Sequence, residues 1–288
     1  MRYLLQLLCF VLVPVTAAAS DGAIVIQGEI GPLNISPTFD HGYLATYEIE
    51  GIAVYSRDGS LAMRIAHPAD GHFRNADIDS DGSVVAGVGR GGNRDGSIMV
   101  FNADGTKAHE IMTGSYQASE ACFAPDGSLW ALGDEHLRPE SDPTTDFLLR
   151  HYSREGTLLG GFLPRSSFPL DVYPGGPRIG GWRLRIAGGT IGVKLSGAGA
   201  NKQVLWLETD LEGKEIGRWT VPRGAEPVAF TASGAVYAQV GAEITLLDHA
   251  SGTWKPLTIS PAGRLQGAEG DTLVSSLPGN TILRTTLH

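Results

Sequence analysis

The residues best suited to chemistry in this sequence form a run of alternating carboxylates, Asp77-Ile-Asp79-Ser-Asp81-Gly82. The run matches the opening of a calcium-binding loop, because carboxylate oxygens are the ligands that Ca²⁺ prefers. A complete EF-hand loop needs a bidentate Glu at its twelfth position, where this chain has Val88. An Asp-Gly turn between two strands explains these residues better, so Asp77, Asp79 and Asp81 are retained only as candidate ligands of a divalent cation.

The other catalytic signatures in the chain are incomplete. The stretch Gly87-Val-Gly89-Arg-Gly-Gly92 fits a dinucleotide fingerprint, but a turn and a strand follow it where a helix is required. The patterns G-x-S-x-G, G-x-x-x-x-G-K and H-E-x-x-H are absent. No complete catalytic motif therefore indicates an enzyme.

Two alternating series of turn glycines organise the chain, and Asp81-Gly82 belongs to the first of them. An Asp-Gly pair between runs of Val, Ile, Met and Phe predicts a β-hairpin with a type I′ turn. Spacings in the first series are 40, 45, 62, 45 and 36 residues, and the second series interleaves with it. The first series is Gly42, Gly82, Gly127, Gly189, Gly234 and Gly270, and the second is Gly59, Gly105, Gly156, Gly213 and Gly252.

Two hairpins in each repeat of about forty residues predict an all-β fold, a six-bladed β-propeller with four-stranded antiparallel blades. A sandwich or barrel is the alternative, but it gives no reason for two classes of turn to alternate. The last repeat is one strand short, and residues 23–30 are strand-like without a partner hairpin. We predict that this N-terminal strand closes the last blade, because the docked strand would remove both free edges.

The repeated turn pattern, apolar–x–(D/A)–x–x–(D/E/S)–G–x–(L/V), resembles that of six-bladed propellers of the NHL-repeat type. It is also similar to their gluconolactonase-like and streptogramin-lyase-like relatives, over nearly the whole chain after the N-terminal segment. The resemblance implies the fold. The gluconolactonase-like relatives further imply a divalent metal held by carboxylate and Asn side chains at the central channel. The fold alone does not imply an activity.

The N-terminal segment has the features of a secretory signal peptide: Arg2, an apolar run over residues 4–15, and the small residues Ala17-Ala18-Ala19. We predict cleavage after Ala19, so that residues 1–19 leave and residues 20–288 form one domain without a membrane span. Cys122 would then be the only cysteine, which favours a bacterial periplasmic or secreted protein. A net charge of −9 argues against a nucleic-acid partner, and we expect a monomer.

The first strand of each blade lines the central channel of a propeller, so its polar residues are candidate site residues. Glu120 and Glu226 are the candidate catalytic acids or bases. Three acids and two Asn could hold Ca²⁺ or another divalent cation, whereas two Arg at the same level oppose one. The candidate ligand-binding residues are Asn75, Asp77, Trp182, Arg183 and Arg264, with Asn34 and Gln266 beside them.

The connections divide between two faces of the predicted propeller. Turns inside the hairpins lie on one face, which we call the turn face. Connections between second and third strands, and between blades, lie on the other, which we call the loop face. Two long connections, residues 134–146 and residues 165–185, fall on the loop face. We therefore expect an exported, non-catalytic scaffold that binds a protein, peptide or glycan there. The alternative is a metal-dependent lactonase, other hydrolase or lyase of the gluconolactonase-like kind.

Overall fold

Six antiparallel sheets follow one another along the chain in the computed structural model, and they form the six blades that the glycine spacing predicts. The structure describes residues 20–25, 38–90, 95–135, 146–168, 172–173, 184–197, 203–257, 263–277 and 281–286. Within these ranges, no helix is long or apolar enough to span a membrane.

The strands are numbered in chain order, and each blade is given from its innermost strand outwards, except that β1 (Ser20–Val25) belongs to blade 6. Blade 1 has β2 (Thr38–Asp40), β3 (Tyr43–Glu48), β4 (Gly51–Tyr55) and β5 (Leu61–Ala66). Blade 2 has β6 (His72–Phe73) and β7 (Asp77–Ile78), then β8 (Val84–Gly89), β9 (Gly96–Phe101) and β10 (Lys107–Gly114). Blade 3 has β11 (Tyr116–Phe123), β12 (Leu129–Glu135), β13 (Phe147–Tyr152) and β14 (Leu158–Pro164), which a 3₁₀ helix, Arg165–Ser167, follows. Blade 4 has β15 (Val172–Tyr173) and β16 (Leu184–Ala187), then β17 (Thr190–Gly197), β18 (Val204–Asp210) and β19 (Glu215–Val221). Blade 5 has β20 (Ala225–Phe230), β21 (Val236–Val240), β22 (Glu243–Asp248) and β23 (Thr253–Pro256). Blade 6 has β24 (Arg264–Glu269), β25 (Thr272–Leu277) and β26 (Thr281–Thr286).

The turn glycines have the backbone conformation that the sequence predicts. All eleven have positive φ, between 57° and 101°. The type I′ prediction at Asp81-Gly82 is nevertheless wrong, because the Gly82 N–H donates to Asp79 O at 2.9 Å and Asp81 has no positive φ. This turn is a type I turn followed by a glycine bulge. Two positive φ values in succession, which a type I′ turn requires, occur at His41-Gly42 and Gly188-Gly189.

The N-terminal strand closes the last blade, as predicted. Strand β1 pairs antiparallel with β26, and Ala23 lies opposite Leu283. Its bounds differ from the predicted residues 23–30, because Val25 already lies opposite Thr281, the first residue of β26. The ring is therefore completed by the residues that directly follow the predicted cleavage site.

Close approach of neighbouring blades explains several glycines outside the turns. A Cβ atom on Gly87 of blade 2 would lie 2.6 Å from Ala118 O of blade 3. Each seam otherwise packs apolar side chains from two sheets, as where Trp206 meets Phe230 edge to face at 5.3 Å between ring centroids. The core therefore lies between the blades and surrounds the channel.

Every innermost strand from blade 2 to blade 6 is interrupted at a similar height. In blade 2, Phe73 lies opposite Val88 and Asp77 lies opposite Val85, so the innermost strand has one residue more than β8 over this stretch. Blades 3, 5 and 6 likewise carry one extra residue in β11, β20 and β24. Bulges of this kind bend a strand and redirect its side chains.

Blade 4 carries a far longer interruption at that height. Eleven steps from Tyr173 to Leu184 face three steps from Ser196 to Val193 on β17. The prediction that residues 165–185 form one connection between blades is therefore wrong. The ten residues between β15 and β16 instead interrupt the innermost strand of blade 4.

Candidate functional site

The channel-facing residues of blade 2 bind the next blade. Asn75 Nδ2 donates to Ala121 O at 2.8 Å, and Asn75 Oδ1 accepts from the backbone N–H groups of Ala121 at 3.1 Å and Gly87 at 3.0 Å. This amide therefore uses its oxygen and one of its N–H groups to fasten blade 3 onto blade 2. An innermost strand is an edge strand, and its unpaired N–H groups need such acceptors.

Asp77 has a similar role and also forms an ion pair. Its Oδ2 accepts from Phe123 N at 3.0 Å, and its Oδ1 lies 2.8 Å from Arg185 Nη1 of blade 4. Burial raises the pKa of Asp77 from its ordinary value to about 6, although Arg185 lowers it and the Asp40 carboxylate raises it further. Arg185 also donates from Nη2 to Thr38 Oγ1 of blade 1 at 2.8 Å.

Glu120 and Gln239 make the corresponding contacts in blades 3 and 5. Buried Glu120 accepts from Leu184 N of blade 4 through Oε2 at 2.9 Å. Gln239 Oε1 accepts from Leu265 N of blade 6 at 2.7 Å, and its Nε2 donates to Gly263 O at 3.2 Å. Polar side chains near the channel thus bind the backbone of the following blade.

The carboxylates of the calcium-like run are divided between two cations. Asp77 pairs with Arg185, whereas Arg154 of blade 3 donates to Asp79 Oδ2 at 3.0 Å and to Asp81 Oδ2 at 3.3 Å. The Ser83 backbone N–H, followed by other hydrogen bonds and Arg154, lowers the pKa of Asp81 against the effect of burial. The run therefore spans from the channel to the turn face.

The described residues do not fit a channel metal of the gluconolactonase-like type. Such an ion needs carboxylate and Asn oxygens that converge, but Asn75, Asp77 and Glu120 accept from backbone N–H groups or from Arg185. Throughout the described ranges, no three His, Cys, Asp or Glu side chains form a group that could hold a metal ion.

The remaining predicted site residues fall into two classes. Arg264 is exposed at the start of β24, and buried Gln266 donates from Nε2 to Ser276 Oγ at 2.7 Å. Glu226 lies in β20, but its side chain is outside the described part. Asn34, Trp182 and Arg183 also lie outside the described residues, so their predicted roles remain predictions.

Arg185 is the channel residue that the sequence reasoning missed. It stands four residues before the turn glycine Gly189, where blades 3 and 5 have Phe123 and Phe230 before theirs. A charged side chain at a position where the other five blades have an uncharged one is the signal that could have identified it.

A serine–histidine contact on blade 3 also escaped the sequence reasoning. His151 Nε2 lies 2.8 Å from Ser128 Oγ, a spacing that a nucleophile and its base can have. The Ser128 hydroxyl, however, donates to Asp126 Oδ1 at 2.6 Å, as Thr106 does to Asp104 in another turn at 2.5 Å. Because the hydroxyl–carboxylate contact recurs in a second turn, we assign Ser128 to the turn rather than to catalysis.

The loop-face end of blade 3 is held by a polar network around the predicted connection at residues 134–146. Arg150 Nη2 donates to Glu135 Oε1 at 2.6 Å, and its guanidinium lies 4.1 Å from the Tyr116 ring centroid. Glu135 N donates to Asp146 Oδ1 at 3.3 Å. Asp134 and Glu135 belong to β12, and residues 136–145 lie outside the described ranges.

Comparisons with known proteins support the fold but assign no family or activity. No protein-family model and no curated protein matches the chain. A gluconolactonase from Xanthomonas campestris has a similar structure, at 13% identity over 93% of this chain and 98% of that one, with a TM-score of 0.55. A Bacteroides caccae protein of unknown function matches at 14% identity over 82% and 78%, and a chain of a mitotic checkpoint complex at 10% over 99% of both, each with a TM-score of 0.50. The expected resemblance to gluconolactonase-like propellers is confirmed at the level of fold.

Proposed function

We propose that this protein is an exported, non-catalytic propeller that binds a protein, peptide or glycan with its loop face. The observation that carries the proposal is the use of the channel acids. Asp77 and Glu120 hold neighbouring blades together, so they are not arranged as a free metal-binding or acid–base pair.

The two faces offer different material for recognition. Hairpin turns on the turn face are short, and hydrogen bonds within or between turns satisfy many of their carboxylates. The long connection between β12 and β13 belongs to the loop face, and the Arg150–Glu135 pair stiffens the strand ends beside it. Binding residues are commonly carried on loops that a rigid scaffold positions.

A three-arm binding and activity screen tests the proposal. Protein biotinylated at its C-terminus is presented to a phage-displayed peptide library and a printed glycan array, and is assayed on a lactone panel with Ca²⁺, Mg²⁺ or Zn²⁺. We expect a peptide or glycan ligand and no lactone turnover. Metal-dependent turnover of a lactone would refute the non-catalytic proposal and favour the gluconolactonase-like alternative.

Matched variants locate the binding face. In one variant a Gly-Ser-Gly linker replaces residues 137–144, and in a second Trp182 is changed to Ala. The control is Arg57→Ala/Glu212→Ala, which alters two exposed turn-face residues. A ligand of the loop face loses at least tenfold in affinity with a loop-face variant, about 1.4 kcal/mol, and stays within twofold for the control. Equal binding by both loop-face variants would refute the loop-face assignment.

A further inference from the structure

Arg185 connects blades that are not neighbours. It belongs to blade 4, yet its guanidinium donates to Thr38 of blade 1 and to Asp77 of blade 2, both at 2.8 Å. Blade 1 stands opposite blade 4 in a ring of six. The Arg185 side chain therefore extends across the axis of the channel.

Three other polar contacts in the described part of the chain join adjacent blades. Asn75 binds blade 2 to blade 3, Glu120 binds blade 3 to blade 4, and Gln239 binds blade 5 to blade 6. Each of those contacts fixes one seam, whereas Arg185 fixes a distance across the ring. A guanidinium suits this task, because its planar fork donates in two directions from one rigid group.

The crossing lies close to the turn face and has little contact with solvent. Arg185 stands four residues before Gly189, and Thr38 stands four residues before Gly42. The side chains of Arg185 and Asp77 are 12% and 6% exposed. The low exposure indicates that the innermost strands close around the ion pair at this height.

We propose that Arg185 is an axial latch, which holds blades 1, 2 and 4 together and shuts the turn-face end of the channel. Solutes then reach the channel interior from the loop face. Removing the latch lets the innermost strands separate near the turn face and admits small reagents there. The proposal concerns access and does not depend on which ligand the protein binds.

Cys122 provides a reporter beside the latch. Its thiol is buried on β11, and both Asp77 and Arg185 act electrostatically on it. Changing Cys9 to Ser leaves Cys122 as the only thiol in the chain. The rate at which 4,4′-dithiodipyridine modifies Cys122 then measures local opening of the native protein.

Variants of Arg185 test the latch at pH 7.5 without denaturant. We expect Arg185→Met to raise the labelling rate of Cys122 roughly tenfold, because both hydrogen bonds across the axis are lost. Arg185→Lys keeps the charge without the fork and should give an intermediate rate. Arg154→Met is the control, because it removes a guanidinium near the turn face that contacts Asp79, Asp81 and the Phe123 ring, whereas Arg185 contacts Asp77 and Thr38.

The outcomes separate a latch from general loosening. Wild-type labelling of Arg185→Met, or equally fast labelling of Arg154→Met, would overturn the proposal. Circular dichroism confirms that each variant is folded. If Arg185→Met does not fold, Thr38→Val removes one arm of the latch, and labelling roughly two- to fivefold faster is expected from the loss of one hydrogen bond. Wild-type rates for both Thr38→Val and Arg185→Lys would then overturn it.

Discussion

The turn face and the loop face differ in regularity and in charge. The eleven turns, with the strand residues that lead into them, hold twelve Asp and Glu but only Arg57, Arg154 and Lys214 as basic residues. Their net charge of −9 equals that of the whole chain, so the remainder of the molecule is balanced. The net negative charge, which favours solubility, is thus repeated from turn to turn on the turn face. The length of the connections varies mainly on the loop face.

Carboxylates of the turn face and the Asp77 carboxylate at the axis have pKa values shifted in opposite directions. Hydrogen bonds from Ser56 and Ser60 lower the pKa of Asp58 to about 2, and those from Thr106 lower that of Asp104. Burial instead raises the pKa of Asp77. Turn carboxylates are therefore stabilised in their charged form, whereas the fold favours the neutral form of Asp77.

The largest expected effect comes from a turn glycine that a neighbouring blade covers. Gly213 has φ +81°, and a Cβ atom there would lie 2.0 Å from the Phe162 ring. Gly213→Ala should cost about 3 kcal/mol in free energy of unfolding, from overpacking added to backbone strain. Gly234, at φ +83° with no atom near its Cβ position, is the control, and Gly234→Ala should cost about 1 kcal/mol.

Urea unfolding of both glycine variants measures this difference. Equal losses of unfolding free energy would show that backbone strain alone destabilises both variants. The contact between Gly213 and the neighbouring blade would then add nothing.

The next effect is a pH dependence of stability, with opposite signs for Asp77 at the axis and for the carboxylates of the turn face. Folding raises the pKa of Asp77 from 3.8 to about 6, so its contribution to stability is fully present below pH 3.8 and is lost as the pH rises to about 6. The loss should amount to about 2–3 kcal/mol of unfolding free energy. A turn carboxylate such as Asp104 contributes with the opposite sign, and that contribution is lost only at more acidic pH.

Urea unfolding at several pH values between 4 and 7 tests the sign. Asp77→Asn should remove the decline across this window, whatever its effect on absolute stability. Asp104→Asn should leave the decline intact. A wild-type slope in Asp77→Asn would assign the proton to another group of the protein.

The smallest effect concerns a buried hydroxyl near the turn-face end of blade 4. Thr209 is fully buried, and its Oγ1 has no hydrogen-bond partner among the residues that the structure describes. Thr209→Val should therefore raise the unfolding free energy by about 1 kcal/mol, because it removes a desolvated polar atom without changing shape. Thr245→Val is the control and should lower stability by a similar amount, since Thr245 Oγ1 donates to Ala238 O at 3.2 Å.

Differential scanning calorimetry of the two Thr variants decides between these expectations. A loss of stability in Thr209→Val as large as that in Thr245→Val would show that the Thr209 hydroxyl is hydrogen-bonded in solution.

The fold was predictable because its signals are local and repeated. Turn glycines such as Gly82 and Gly105 mark hairpins from a few adjacent residues, and the interleaving of two series sets the blade count. The turn type at Asp81-Gly82 and the bounds of β1 were not predictable, since each depends on hydrogen bonds to a specific partner strand.

The channel residues show where sequence reasoning reached its limit. Asn75, Asp77 and Glu120 lie on the innermost stretches of blades 2 and 3, but their partners lie in blades far away along the chain. Nothing in their spacing shows whether a carboxylate faces a metal, a backbone N–H or a guanidinium. Arg185 joins blades separated by more than a hundred residues, so no local pattern could reveal its role.

The strand that closes the ring has a mechanical consequence. Ser20 lies opposite Thr285 in the antiparallel ladder of β1 and β26, so force applied to these two ends would load the ladder at one edge. Hydrogen bonds loaded in this way break one after another instead of sharing the force. Under tension the ring would therefore open first by peeling β1 away from β26, even though closure removes a free edge from the unstressed protein.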